Sequence, residues 1–400
     1  MRNNQLPLNG VKIISVEQYG AAPFGTMYLA DLGAEVIKVE NHHQGGDMGR
    51  HVVPYAEEGD SLFFQTFSCN KKSIAIDLKS EKGQLILQQL ATNADALINN
   101  LRGDLPEKLG LTYPSMSSVN KKIVCVHLSA YGRNNERSGW PGLDYVMQAE
   151  AGYLAITGEP DSPPTRMGLS VVDFMGGLTA ALALLAGIIG AKTKGHGQDY
   201  DASLFDVAMA NLSYPATWHL NEGYEPERVK HSGHPSLVPS EMYKTSDGWI
   251  FIMANKANFW PNLCKALGKP EWETDPRMTS FKTRLENRDM VVDLLSSVFV
   301  KKTTDAWLEK LRGKLPCAPV NNIKEALEND FTSNQKIVQN IAHKKRKSLK
   351  MVRQPILING EIAPREPAPK LGADTHKILS DLGYSEVEID ALHEEGVIAR

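Results

Sequence analysis

Val11-Lys-Ile-Ile-Ser-Val16, Gly20-Ala-Ala-Pro-Phe-Gly-Thr-Met-Tyr-Leu-Ala-Asp-Leu-Gly33 and Glu35-Val-Ile-Lys-Val-Glu40 follow one another near the start of the chain. The first and third are short, β-branched runs with strand character. The second reads as a turn and then a helix, stopped by Gly33, because glycine takes the left-handed conformation that ends helices. Strand, helix and strand in such close succession form a βαβ unit, which implies a parallel sheet with a right-handed crossover. A helical pattern over residues 81–93 leads to the strand Ala96-Leu-Ile-Asn99, and Lys122-Ile-Val-Cys-Val-His-Leu128 reads as another strand. The fold class is α/β. Parallel sheets of this kind bind ligands at the carboxyl ends of their strands. Those ends carry residues 17–22, 41–50, 99–102 and 129–133.

The same architecture serves nicotinamide enzymes, but their glycine fingerprint is absent. After the first strand the chain reads Glu17-Gln-Tyr-Gly-Ala-Ala-Pro-Phe-Gly25, without GxGxxG spacing. Gly195-His-Gly197 has no third glycine and precedes a strand pattern instead of following one. There is no Walker lysine loop. The 11 histidines show no metal-ligand spacing, and the adjacent His42 and His43 read as loop residues pointing apart.

The 400 residues are enough for two domains, and the net charge of −3 supplies no basic field for nucleic acid or an anionic membrane. The four cysteines, Cys69, Cys125, Cys264 and Cys317, are far apart and fit a reducing cytoplasm. The opening Met1-Arg-Asn-Asn-Gln-Leu-Pro-Leu8 lacks an apolar stretch, so no secretory signal is expected. The run Leu178-Thr-Ala-Ala-Leu-Ala-Leu-Leu-Ala-Gly-Ile-Ile-Gly-Ala191 is short for a membrane span and reads as a buried core helix.

Directly before that run stands Gly168-Leu-Ser-Val-Val-Asp-Phe-Met-Gly-Gly177. Asp173 therefore lies near a helix N-terminus, where the dipole and free N–H groups favour an ionised carboxylate. Two readings stay open: an N-cap that satisfies backbone donors, or a poorly hydrated carboxylate usable as a nucleophile.

Further on, residues 222–240 are rich in Gly and Pro and read as a linker or binding loop. Residues 241–254 read as a hairpin turning at Asp247-Gly248. Helices follow through residue 312, and Pro316-Cys-Ala-Pro-Val320 breaks the pattern. The basic residues 343–350 read as a solvated turn. Two last helices, 375–382 and 385–395, are separated by Gly383.

Read together, these segments resemble the class III CoA-transferase family, also called CaiB/BaiF, which includes formyl-CoA:oxalate, carnitine and succinyl-CoA:dicarboxylate CoA-transferases. The marks are Ala21-Ala-Pro-Phe-Gly25, Leu32-Gly-Ala-Glu-Val-Ile-Lys-Val-Glu40, Gly45-Gly-Asp-Met-Gly-Arg50 and Cys69-Asn-Lys-Lys-Ser-Ile-Ala-Ile-Asp-Leu-Lys79. They continue with Gly195-His-Gly-Gln-Asp-Tyr-Asp-Ala-Ser-Leu-Phe-Asp206, Tyr243-Lys-Thr-Ser-Asp-Gly248, Pro316-Cys-Ala-Pro-Val320 and Leu371-Gly-Ala-Asp-Thr375. In this order and spacing they span essentially the whole chain.

The resemblance implies that Asp173 is the nucleophile that accepts CoA from a donor thioester. It implies CoA contacts from Gln18, Tyr19 and Ala21, from Ile76, Leu78 and Lys79, from Asn100, Leu101 and Lys108, and from Ala130, Tyr131 and Gly132. His42 stands where some relatives carry an arginine near the adenine. Lys71 reads as part of a solvated face. Gly176 and Gly177 serve helix packing or close approach. Gly233 and His234 belong to a mobile glycine-bearing loop over the active site. Arg166 is a candidate for a substrate's distal carboxylate, by bidentate recognition, or else anchors its loop to backbone carbonyls.

The expected substrates are an acyl-CoA, with succinyl-CoA as donor, and a small dicarboxylate. No metal or tightly bound cofactor is implied, and no nucleic acid or membrane partner. A related racemase branch acts on 2-methylacyl-CoA with an additional histidine; Leu143 stands in that position, which disfavours racemisation. A non-catalytic CoA-binding protein is the remaining alternative. The resemblance also implies an interlocked homodimer. Each chain would have a large Rossmann-like domain from residues 1–221 and 346–400 and a smaller α/β domain from 241–325. Residues 222–240 and 326–345 would link them.

Overall fold

The computed structural model describes residues 6–57, 59–344 and 346–399. The chain forms two compact units, one of Met1–Ala151, Gly168–Ser213 and Lys336–Arg400, the other of Gly152–Met167 and Tyr214–Gln335.

The first unit is built on one parallel sheet. Its strands are β1 (Lys12–Val16), β2 (Glu35–Glu40), β3 (Lys72–Ala75), β4 (Ala96–Asn99), β5 (Val124–Ser129) and β6 (Asp199–Ser203), in the order β3-β2-β1-β4-β5-β6. Every neighbouring pair is parallel, with Ile13 of β1 opposite Val36 of β2 and Ala96 of β4. The central strands are buried along their length, as parallel strands covered by helices must be. Their side chains Ile14, Ile74, Leu97 and Cys125 share a core with Ile86 and Leu87 of the helix Glu81–Thr92. Ile378, Leu379, Ile389 and Leu392, from the helices Thr375–Asp381 and Glu386–Glu394, complete it. The chain end is tied in by a bridge between Ile76 and Ile398 and by the Asp77 N–H donating to the Val397 carbonyl at 2.8 Å.

Two helices of this unit bear on the site. Helix α1 (Ala21–Asp31) follows β1, and α3 (Val171–Lys194) crosses it closely; between them in sequence lies α2 (Asp144–Glu150). A Cβ at Gly25 would lie 2.0 Å from the Gly177 carbonyl oxygen, and one at Gly177 would lie 2.3 Å from the Ala21 carbonyl oxygen. Only glycine permits that crossing. Gly177 thus serves helix packing, and so does Gly176, which packs against Leu204 and Leu128. Helix α3 is longer than the apolar run that marked it, and it is covered on one side only. Val172, Ala180, Leu184 and Ile188 are buried, whereas Leu178, Leu182 and Ile189 are exposed. By length and composition it is the one described helix able to cross a membrane, yet its inner face packs on α1 and β5.

In the second unit, β7 (Ser240–Lys244) and β8 (Trp249–Met253) form the expected hairpin, with Lys244 opposite Trp249. The segment expected only to break the pattern forms a strand instead: β9 (Cys317–Pro319) pairs antiparallel with β8. It is an edge strand, where proline's missing N–H costs no ladder bond. Tyr243, Ile250 and Ile252 pack with Trp260, Leu295, Phe299 and Trp307 from the following helices. Back in the first unit, the basic residues 343–350, apart from residue 345, which lies outside the described residues, form the turn between the antiparallel strands Val338–Ile341 and Leu349–Val352 and the start of the latter.

Candidate active site

From β1 the sheet grows outward to β2 and β3, and on the other side through β4 to β6. Loops leaving neighbouring strands in opposite directions open a crevice at such a reversal. A cleft of about 310 Å³ lies there, lined by 18–21 after β1, 100–102 after β4, 128–130, 140–143, Leu204 and Asp173. A second cleft of about 290 Å³ adjoins it along the ends of β1, β2 and β3, and shares Gln18 and Leu101.

Asp173 is the third residue of α3, so it is not the helix N-cap. That task falls to Asp144 of α2. One of its carboxylate oxygens accepts from the Val172 and Asp173 N–H groups at 2.7 and 3.0 Å. The donors expected to stabilise an ionised Asp173 are therefore already taken, by a second carboxylate. The side chain of Asp173 is nearly buried, and among the described residues its carboxylate makes no hydrogen bond. Burial, reinforced by Asp144, pushes its pKa up to about 7. Across from it, a Cβ at Gly20 would come within 3.2 Å of Asp173 Oδ2, so glycine leaves the carboxylate open to the cleft. A half-ionised, poorly solvated carboxylate with an unobstructed face can attack an acyl carbon.

Beneath the loop after β1 lies a cluster that the sequence hid. Glu17, Lys38, Glu40, Asp47, Arg50 and Lys71 are all buried, none more than 5% exposed. Lys71 pairs with Glu17 at 2.6 Å, Lys38 with Asp47 at 2.6 Å, and Arg50 with Glu40 at 2.7 Å. Lys71 is therefore not on a solvated face: its ammonium hydrogen-bonds Glu17, the Pro23 carbonyl and Thr26. Burial lowers its pKa to about 8. Burial alone would raise Glu17, but Lys71 and Lys38 hold its carboxyl below the ordinary value.

Of the residues the resemblance assigns to CoA, Gln18, Tyr19, Ala21, Asn100, Leu101 and Ala130 line the cleft that holds Asp173. Ile76, Leu78 and Lys79 line the adjoining one. Four others line neither. Lys108 is on the exposed side of its turn, paired with Asp104 at 2.9 Å. Tyr131 packs edge-on to Trp140, and the Gly132 N–H donates to Ser129 Oγ. His42 follows Asn41 at the rim, its Nε2 3.1 Å from the Gly396 carbonyl. Its ring does not point away from His43: the two centroids are 4.0 Å apart, because a short 3-10 turn puts them side by side. Leu143 lines the Asp173 cleft.

Arg166, Gly233 and His234 belong to the second unit. Arg166 Nη1 donates to the Met167 carbonyl at 3.0 Å. His234 Nδ1 accepts from the Ser236 N–H, which leaves the ring proton on Nε2, 3.2 Å from the Tyr214 hydroxyl. The His234 carbonyl accepts from Arg288 Nη2 at 2.7 Å. Arg288 also faces the buried carboxylate of Glu241, whose pKa burial raises. Asp144, Lys38, Asp47 and Gly20 received no role from the sequence. The one available signal was Lys38 itself, a lysine inside a parallel strand, which requires a buried partner.

The profile of CoA-transferase family III matches residues 8–375. The chain belongs to that family. A Fusarium pseudograminearum "Acyl-CoA transferase" is 32% identical over 99% of this chain and 89% of its own length. The human "Succinyl-CoA:glutarate CoA-transferase" is 31% identical over 99% of this chain and 91% of its own. The crystal structure of a CAIB/BAIF family protein from Brucella suis superposes with a TM-score of 0.80 at 27% identity, covering 94% of this chain and 99% of that one. This family III protein is a CoA-transferase, and CoA thioesters and carboxylic acids are its class of substrate.

Proposed function

We propose that the enzyme moves CoA from succinyl-CoA to a small dicarboxylic acid through covalent catalysis by Asp173. The observation that carries this is the Asp173 carboxylate: nearly buried, without a hydrogen-bond partner among the described residues, and facing a cleft kept open by Gly20. An Asp173 oxygen attacks the thioester carbon, the C–S bond breaks, and a mixed anhydride and CoA thiolate result. The thiolate then attacks the aspartyl carbonyl, releasing the donor acid and leaving an aspartyl-CoA thioester. The acceptor carboxylate attacks that thioester, and the displaced thiolate takes the acceptor's acyl group from the second anhydride. Asp173 is regenerated, and one difficult exchange becomes four acyl transfers. CoA would lie along the two adjoining clefts, with Lys79 near its phosphates. The name of the human relative supports the donor and the dicarboxylate class.

The exposed apolar ridge Leu178, Leu182 and Ile189 on α3 supports a homodimer, and its interlocking is proposed on the family resemblance alone. Four free cysteines, three of them buried, support a cytoplasmic location. Racemisation is not favoured, since the cleft position that would carry its second acid/base group holds Leu143.

The test is a mixing experiment. The protein is incubated with succinyl-CoA and a pool of small carboxylates, beside Asp173→Ala, and new acyl-CoA masses are sought. A new dicarboxyl-CoA made only by the unaltered protein is expected. Transfer by Asp173→Ala at the same rate would sink the mechanism, and transfer only to monocarboxylates would sink the substrate class.

A further inference from the structure

Three consecutive residues of the loop facing Asp173 are held by their backbone. The Glu17 carbonyl accepts from Lys38 Nζ at 2.9 Å. Gln18 exchanges two hydrogen bonds with the Asn100 side chain, each 2.7 Å. The Tyr19 N–H donates to Asp47 Oδ1 at 2.8 Å. Lys38 and Asp47 also hold each other, Nζ to Oδ2 at 2.6 Å, with both side chains wholly out of solvent.

The loop needs such holding. Tyr19 has φ of +67°, in the left-handed region that costs a residue with a Cβ about 1–2 kcal/mol. The turn this makes brings Gly20 against the Asp173 carboxylate. Stability is a poor explanation for the ion pair, because a buried pair gives little net stabilisation over apolar side chains of the same size. Its geometry has a clear consequence: one partner fixes the carbonyl before Gln18, the other fixes the N–H after it.

We infer that Lys38 and Asp47 are positioning residues for the reaction: their ion pair sets the left-handed turn at Tyr19, and through it the placement of the Gln18–Gly20 wall against Asp173. This rests on the reading of Asp173 as the nucleophile. Lys38 lines neither cleft, and Asp47 borders the adjoining one with its side chain wholly out of solvent. They act through the loop.

The experiment compares the full-length protein with Asp47→Ala, Asp47→Asn and the double variant Lys38→Met/Asp47→Asn. Two quantities are read: kcat and KM per folded molecule for CoA transfer from succinyl-CoA, and hydrogen exchange of the Tyr19 amide. Asp47→Ala removes the acceptor, so kcat is expected to fall roughly 100-fold, the usual effect of misplacing a reacting group by about 1 Å. The Tyr19 amide should exchange at least about tenfold faster, since its partner is gone. Asp47→Asn keeps an acceptor oxygen and should lose less kcat than Asp47→Ala. A purely structural pair would instead lower stability in both variants and leave kcat per folded molecule alone.

If Asp47→Ala does not fold, the double variant takes its place, because it leaves neither member of the pair buried and unpaired; its kcat should still fall tenfold or more. A kcat within threefold of the parent in whichever variant folds overturns the inference, as does unchanged Tyr19 protection in Asp47→Ala. If the parent itself transfers no CoA from any donor, the transferase mechanism fails instead, and the exchange measurement still decides whether the pair clamps the turn.

Discussion

Replacing Asp173 by asparagine should make the protein more stable, and only above acid pH. Burial and Asp144 raise the Asp173 pKa from 3.8 to about 7 in the folded state. In the unfolded chain the group is solvated and titrates at its ordinary value. Between the two values the folded protein binds a proton that the unfolded chain has lost, so stability falls as pH rises through that window. The penalty is absent below pH 4 and complete above pH 7. A shift of about 3 units at about 1.4 kcal/mol each gives about 4 kcal/mol as the upper bound, and roughly 2–4 kcal/mol once water entering the cleft is allowed for. Asparagine has nearly the same shape and no charge, so it should remove the penalty. Denaturant unfolding of both proteins at pH 4.5, 6, 7 and 8.5 measures it: the variant's advantage should be small at pH 4.5 and grow by at least about 2 kcal/mol by pH 8.5. An advantage that does not change with pH, or a less stable variant at pH 8.5, would refute the reasoning that this carboxylate is desolvated and unpaired.

The attacking group must be ionised, so kcat/KM should rise with pH through an apparent pKa near 7, and Asp144→Asn, by removing the neighbouring negative charge, should move that limb to lower pH. A limb in the same place in that variant would exclude Asp144 as a cause of the shift. Gly20→Ala puts a Cβ 3.2 Å from Asp173 Oδ2 at a backbone conformation alanine tolerates (φ −112°, ψ −41°), so kcat/KM should fall about tenfold or more with little change in unfolding midpoint. Gly25→Ala drives a Cβ to 2.0 Å from the Gly177 carbonyl and should cost about 3 kcal/mol or more by denaturant unfolding. Gly139→Ala, whose Cβ meets nothing within 4 Å, should cost less than about 0.5 kcal/mol.

The central strands of the sheet were legible because burial on two faces requires short apolar runs, whereas the edge strand Lys72–Ala75 was not read. Glu35–Glu40 and Ala96–Asn99 fall where the pattern puts them. Helix α3 was legible as apolar, but not its half-covered state, since composition alone does not say which face meets the sheet. The Pro-Cys-Ala-Pro strand was hidden because proline reads as a breaker, and only its place at a sheet edge makes it tolerable.

Around Asp173 the chemistry was legible and its environment was not. Asp144 acts across 29 residues of chain, and Lys71 meets Glu17 across 54. No local spacing encodes such a contact. A lysine in sequence reads as solvated, so the buried cluster under the Gln18 loop became visible only once β1, β2 and β3 were brought together.

In the proposed mechanism CoA becomes attached to Asp173 itself. The direct measurement is to mix the protein with succinyl-CoA in the absence of any acceptor acid, quench in acid, digest, and weigh the peptide that contains residue 173. A CoA adduct on that carboxylate is expected, released by hydroxylamine and lost on adding a dicarboxylic acid. A protein that transfers CoA while the peptide stays unmodified, or whose Asp173→Ala variant transfers as fast, would contradict it.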